Sequence, residues 1–204
     1  MHCHEVNEWP VWAIWKVLGT EVINMESLRT FVEGVMRILG IDPGTHCGWA
    51  LRDDSGSIFS GVWHLKGKRV EGAGMRFLKM RVELLNKFSS REIDVVFYEE
   101  VRNHKGTAAA HIYGGIVAVI TSVCEEFKIP YESIPVGTVK KFATGKGNAG
   151  KPQMIASAEK KWPDAKIEDD NEADARWIVE CGHSQLNVTA STETTQDDEL
   201  AFLQ

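Results

Sequence analysis

The chain of 204 residues has no Cys-x-x-Cys pair, because Cys3, Cys47, Cys124 and Cys181 stand far apart. That absence removes a zinc ribbon and a disulfide framework, and a reducing cytoplasmic setting is the natural expectation. Long apolar runs are also missing: Ile116 to Val123 is broken by Thr121 and Ser122, far short of the roughly 20 residues of a membrane span. No membrane association is expected. The start carries Trp9, Trp12 and Trp15 beside acidic residues, without a basic region or a small-residue cleavage site. It reads poorly as a signal peptide, which leaves Asn187-Val188-Thr189 as a chance glycosylation match. No internal repeat is visible.

Excess positive charge is lacking as well, with 23 basic against 29 acidic residues and a net charge of -6. Taken alone, that balance argues against a nucleic-acid partner. Its distribution reverses the argument, since residues 1–34 carry five acids and two bases, and residues 190–204 carry four acids and no base. The body between them is balanced, and Gly137 to Lys166 holds seven lysines against Glu159 and Asp164. That stretch is the candidate phosphate contact. The length suits one domain with extensions, here residues 36–188, with an N-terminal extension over 1–35 and an acidic, disordered tail over 189–204. Met36 directly before the first strand suggests that residues 1–35 are dispensable for activity.

Met36 to Asp42 reads as a short buried strand stopped by Pro43-Gly44, followed by extended stretches at Gly48 to Leu51 and Ser57 to Leu65. Three antiparallel strands are expected. Met75, Leu78, Val82, Leu85 and Phe88 recur at helical spacing and predict an amphipathic helix over 73–88. Ile93 to Tyr98 is β-branched and aromatic, as in a central strand, and ends at Glu99-Glu100. A long helix is expected from Thr107 to Phe127, where Gly114-Gly115 suggests close packing against another backbone and Pro130 forms the stop. A strand over 131–136 follows, then helices from about Thr138 and Lys151 and a last helix from Asn171 to Cys181. Strands followed by alternating helix and strand indicate an α/β layer fold.

An aspartate ending a buried strand is costly unless its charge is compensated. Asp42 could accept backbone N–H groups of the Pro43-Gly44-Thr45 turn. Glu99 also follows a buried strand, however, and spacings of three or four residues let Asp170 or Asn171 share a helix face with Asp174, while Glu172 points elsewhere. Carboxylates that converge need a counterion, and hard divalent cations with oxygen ligands supply one, so magnesium or manganese is implied. Two such ions beside a basic surface suit phosphodiester hydrolysis.

Ile38-Leu39-Gly40-Ile41-Asp42-Pro43-Gly44-Thr45 resembles the opening signature of RuvC-type Holliday junction resolvases, including phage-encoded ones. Tyr98-Glu99-Glu100-Val101 resembles their second motif. Val139-Lys140-Lys141 with Gly150-Lys151 resembles their basic DNA-contacting region, and Glu172-Ala173-Asp174-Ala175 their last acidic motif. The likeness runs from about Met36 to His183. It implies a ribonuclease H-like α/β fold, a mixed five-stranded sheet with flanking helices, Mg2+ as cofactor with Mn2+ as substitute, and a homodimer cutting four-way junctions or other branched DNA. By motif match, Asp42, Glu99 and Asp174 would ligate metal, and Lys140 and Lys151 would contact DNA or the scissile phosphate, which makes Lys151 a catalytic candidate. Bacterial members have an aspartate where this chain has Asn171, so Asp170 is the favoured fourth ligand. Where cellular members often carry an aromatic wedge, this chain has Val101-Arg102-Asn103-His104-Lys105, a basic loop suited to branched DNA. Lys140, Lys141, Lys146, Lys151, Arg102 and Lys105 form the expected DNA-binding set.

Other motifs weigh less. Gly145 to Lys151 lacks the Ser or Thr after the lysine and the glycine spacing of a Walker A loop, so DNA backbone contact is its better use. His2-Cys3-His4 lacks a rigid support for a metal, and His104 and His111 read as surface residues. A kinase of the actin and sugar-kinase type would need a second domain and phosphate loop. A branched-DNA-binding protein with a degenerate site, in which Asn171 has cost turnover, is the main competing reading.

Overall fold

The computed structural model of the chain describes the backbone of residues 36–90, 93–102, 106–167 and 169–201, with side chains up to 186 except residue 90. The expectations for residues 1–35, His104 and Lys105 lie outside the described residues. Five strands, β1 (Ile38–Asp42), β2 (His46–Arg52), β3 (Ile58–His64), β4 (Val95–Glu100) and β5 (Tyr131–Pro135), form one sheet in the order β3-β2-β1-β4-β5. β1 to β3 are antiparallel neighbours, whereas β4 pairs parallel with both β1 and β5. The sheet is therefore mixed and five-stranded, as expected.

Side chains alternate across it. Leu39, Ile41, Cys47, Leu51, Trp63 and Val96 bury against α1 (Met75–Ser90) and α2 (Thr107–Phe127), through Met80, Leu84, Ile116 and Ile120. Ile38, Ala50, Val95, Phe97 and Ile134 bury on the opposite face, against α3 (Val136–Thr144), α4 (Lys151–Lys161) and α5 (Asp170–Ala201). Two apolar layers thus enclose a central sheet. By length and composition α2 could cross a membrane, which the broken apolar run did not suggest. It packs on the sheet through Ile116, Ile120, Val123 and Cys124.

Glycine lets α5 lie close to the sheet. A Cβ at Gly40 would meet Val179 Cγ2 at 2.6 Å and the Ala175 carbonyl at 2.9 Å, and one at Gly48 would overlap the Asn171 carbonyl. On the other face a Cβ at Gly115 would overlap the Phe77 ring, while Gly114 faces open space. The glycine pair in α2 thus admits one aromatic side chain from α1, not a backbone as expected. α5 continues as helix to Ala201, past the expected end of the last helix at Cys181. No Gly or Pro follows Gly182, and extending an existing helix avoids the cost of nucleation.

A buried polar clamp seats α5 on β3. Ser60 Oγ donates to Glu172 Oε1 at 2.5 Å, Arg176 Nε donates to Ser60 Oγ at 2.6 Å, and Arg176 Nη2 donates to the Ile58 carbonyl at 3.3 Å. Glu172 and Arg176 are both buried, so each charge needs the other and its hydrogen bonds.

Candidate active site

The sheet brings the first two carboxylates together by register. β1 and β4 run parallel with Ile41 opposite Tyr98, so the next step sets Asp42 beside Glu99, about 4.8 Å apart across neighbouring strands. Both belong to the face covered by α5, as the alternation from Ile38 and Gly40, and from Val95 and Phe97, requires. β4 continues through Glu99 and Glu100, two residues beyond the expected end. Beyond it, Tyr113 Oη donates to the Glu99 carbonyl at 2.9 Å and accepts the Val101 N–H at 3.1 Å, fixing the chain as it leaves the strand.

α5 supplies the third and fourth carboxylates. Asp169 caps its first turn, its Oδ1 accepting the Glu172 N–H at 3.0 Å, a bond that satisfies an otherwise orphaned donor. That leaves Asp170 and Asp174, one turn apart, facing Asp42, while Glu172 points to the Ser60–Arg176 clamp as expected. Asn171 lies with its carbonyl over Gly48, the register partner of Asp42, and its side-chain Nδ2 donates to Asp169 Oδ1 at 3.4 Å.

Burial drives the electrostatics. The Asp42 carboxyl is enclosed, and desolvation raises its pKa well above the carboxylate range, with repulsion from Glu99, Asp174 and Asp170 adding to it and Lys151 opposing. Glu99, 8% exposed, is pushed to about 7 by burial and then by Asp174, against the pull of Lys140. Asp174 is pushed to about 6 by burial and Asp170, against Lys140 and Lys151. Its Oδ1 is buried without a hydrogen-bond partner. Such a set holds protons unless a cation replaces them.

The lysines divide into two groups. Lys151 pairs with Asp170 Oδ2, and Lys140 is close enough to lower the pKa of both Glu99 and Asp174. Both face the carboxylates, whereas Lys141 and Lys146 are exposed on α3 and in the loop after it. Arg102 is held by Glu100 of its own strand end, Nε to Oε1 at 3.1 Å. The basic stretch alone does not separate Lys140 and Lys151 from Lys141 and Lys146, whereas the motif match singles out the first two, and the fold places those two beside the carboxylates. The Ser60–Glu172–Arg176 clamp was not foreseen, because Ser60 lies over 110 residues from both Glu172 and Arg176.

The donor set is all carboxylate oxygen, which suits hard divalent ions such as Mg2+ or Mn2+ over softer metals. Among the described residues no three acidic, His or Cys side chains are posed as a finished metal-holding group. The carboxylates converge on one pocket, and an orphaned buried oxygen of Asp174 points to a missing positive partner. The residues fit a divalent ion in donor chemistry.

No family model matches the chain. It is 30% identical over 132 residues to the crossover junction endodeoxyribonuclease RuvC of Ehrlichia canis, spanning 61% of this chain and 81% of that one. It is 28% identical over 171 residues to RuvC of Gluconobacter oxydans, spanning 77% and 95%. Among solved structures it resembles Thermus thermophilus RuvC in complex with a Holliday junction substrate, with a TM-score of 0.63, 21% identity and coverage of 76% and 97%. The yeast mitochondrial Holliday junction resolvase aligns with a TM-score of 0.55, 16% identity and coverage of 92% and 96%. These structures share its ribonuclease H-like fold.

Proposed function

Since the chain belongs to the RuvC family of crossover junction endodeoxyribonucleases, we propose that its carboxylate pocket hydrolyses DNA phosphodiesters at four-way junctions with Mg2+ as cofactor. The protein is a structure-selective endonuclease that resolves Holliday junctions. The supporting observation is the pairing of Asp42 with Glu99 by strand register under the unpartnered Asp174 oxygen.

In this reading Asp42, Glu99, Asp174 and Asp170 hold the divalent ions, and Mn2+ substitutes for Mg2+. Bound there, the ions would activate water and stabilise the oxygen leaving phosphorus. Lys151 pairs with Asp170 Oδ2 and orients that carboxyl toward the pocket, and Lys140 offsets part of the repulsion felt by Glu99 and Asp174. Lys141 and Lys146, exposed beside them, serve the DNA backbone, whose neutralisation dominates affinity. Arg102, held at the exit of β4, adds a cation on the same side, and the reading extends to Lys105.

Cutting two strands calls for two pockets, and a homodimer provides them. Exposed Leu78 and Val82, one turn apart on α1, and exposed Phe127 at the end of α2 support such an association. Cytoplasmic DNA is the expected setting. Residues 36–188 carry the nuclease domain in this reading.

The deciding assay incubates the full chain with a synthetic four-way junction, a flap and linear duplex, with Mg2+ or with EDTA. Mg2+-dependent cutting of the junction is expected, with Asp42→Asn abolishing cleavage while leaving junction binding intact. Tight, salt-sensitive binding without cutting in Mg2+ or Mn2+ would replace this reading with that of a non-cleaving branched-DNA binder in which Asn171 has cost turnover.

A further inference from the structure

The topology gives the carboxylate pocket a second basic flank. β3 runs antiparallel to β2 and ends at His64, so the loop from Leu65 to Gly74 leaves the sheet at the same end as Asp42. Its first residue is tied there, the Leu65 N–H donating to the Thr45 carbonyl at 2.9 Å, in the turn that follows Asp42. α3 and α4, with Lys141 and Lys146 on α3 and in the loop between them, pack on the face covered by α5, where α3 lies over β4 and β5 toward the opposite edge of the sheet. Carboxylates on β1 and β4 stand between.

Residues 65–79 hold Lys66, Lys68, Arg69, Arg76 and Lys79 against Glu71 alone. That one acid is already engaged: Glu71 Oε2 accepts the Lys68 N–H at 2.7 Å and Lys79 Nζ at 3.2 Å, and Lys79 Nζ also donates to the Lys66 carbonyl at 3.1 Å. Lys79 thereby ties the loop to α1 and leaves its remaining bases facing solvent. Lys66, Lys68 and Arg69 are exposed and make no ion pair among the described residues. Val70 beside them is 94% exposed, so no other described part of the chain covers this tip.

We infer that the β3–α1 loop, through Lys66, Lys68 and Arg69, is a second DNA-backbone contact surface, which takes the duplex arm on the side of the pocket away from α3 and α4. The inference rests on the proposed function. A four-way junction sends arms in diverging directions from the exchange point, so backbone phosphates flank a scissile bond on both sides. The loop stands two strand spacings from β1, roughly 10 Å, which a duplex arm covers in about three base-pair steps along its axis. A solvated loop would need neither an ordered tether nor an internally neutralised acid, and this one has both.

The test is the salt dependence of binding of the full chain to a labelled four-way junction in EDTA, by fluorescence anisotropy. Replacing Lys66, Lys68 and Arg69 together by alanine should lower the steepness of log K against log salt by about 2 to 3 units, since each lost phosphate contact removes about 0.9. The charge-preserving triple variant, Lys66→Arg, Lys68→Arg and Arg69→Lys, should keep the wild-type slope, which separates charge from loop shape. A wild-type chain that binds the junction and a triple-alanine variant with the same slope would overturn the inference and leave the proposed function standing. A wild-type chain that binds no junction would overturn both.

Discussion

Glu99→Gln should make the fold more stable while it removes activity, provided divalent ions are absent. Burial and the neighbouring Asp174 raise Glu99 from its ordinary value of 4.5 to about 7. Between those values the folded chain binds more protons than the unfolded chain, so stability falls as pH rises through that interval. The rise from 4.5 to about 7, at about 1.4 kcal/mol per pH unit, sets the full penalty near 3.5 kcal/mol once pH is well above the folded pKa. Glutamine keeps the size of the side chain and removes the charge. Urea denaturation in EDTA at about pH 8 should therefore show the variant more stable by about 3 kcal/mol, and at about pH 5, where folded Glu99 is already protonated, the gain should fall to about 1 kcal/mol. Asp174, raised to about 6, pulls wild-type stability in the same direction. Added Mg2+ should close the gap by stabilising the wild-type chain alone. Equal stability of the two chains at about pH 8, or an equal gain at both pH values, would refute the reasoning.

Gly48→Ala should lower the melting temperature and slow cleavage, because its Cβ would overlap the Asn171 carbonyl, an overpacking against backbone that costs about 3 kcal/mol or more. Gly74→Ala, where a Cβ meets nothing within 4 Å, should melt as the wild type does, and an equal loss in both would remove close helix approach as the cause. If Asp170 completes the ligand set, Asp170→Asn should raise the Mg2+ concentration for half-maximal cleavage well above that of Asn171→Ala. The reverse order in a Mg2+ titration would reassign the fourth ligand to Asn171.

The two strand-borne carboxylates were legible because each ends an unbroken apolar run, and a charge at that boundary has few structural uses. Helical spacing likewise placed Asp170 and Asp174 on one face, and α2 begins and ends where alanine content and Pro130 indicate. What escaped was set by partners distant in sequence. β2 starts at His46, two residues early, because β3 continues to pair with it after β1 has ended. Lys151 and Asp170 meet although they lie on different helices, and Ser60, Glu172 and Arg176 close a network between a strand and a helix. The helical continuation past Cys181 was missed because composition measures the lack of a core, while an already formed helix needs only the absence of a breaker.

Gly40 and Gly48 form a bed on which α5 rests, and each of the four carboxylates sits within a strand or a helix. A framework so closely seated has little slack with which to reach toward a misplaced phosphate. The deformation that brings the bond to be cut into place then falls on the nucleic acid, whose bending and unstacking cost depends on its own sequence. Preference among cutting positions can thus arise from how easily each junction yields, without any side chain reading a base.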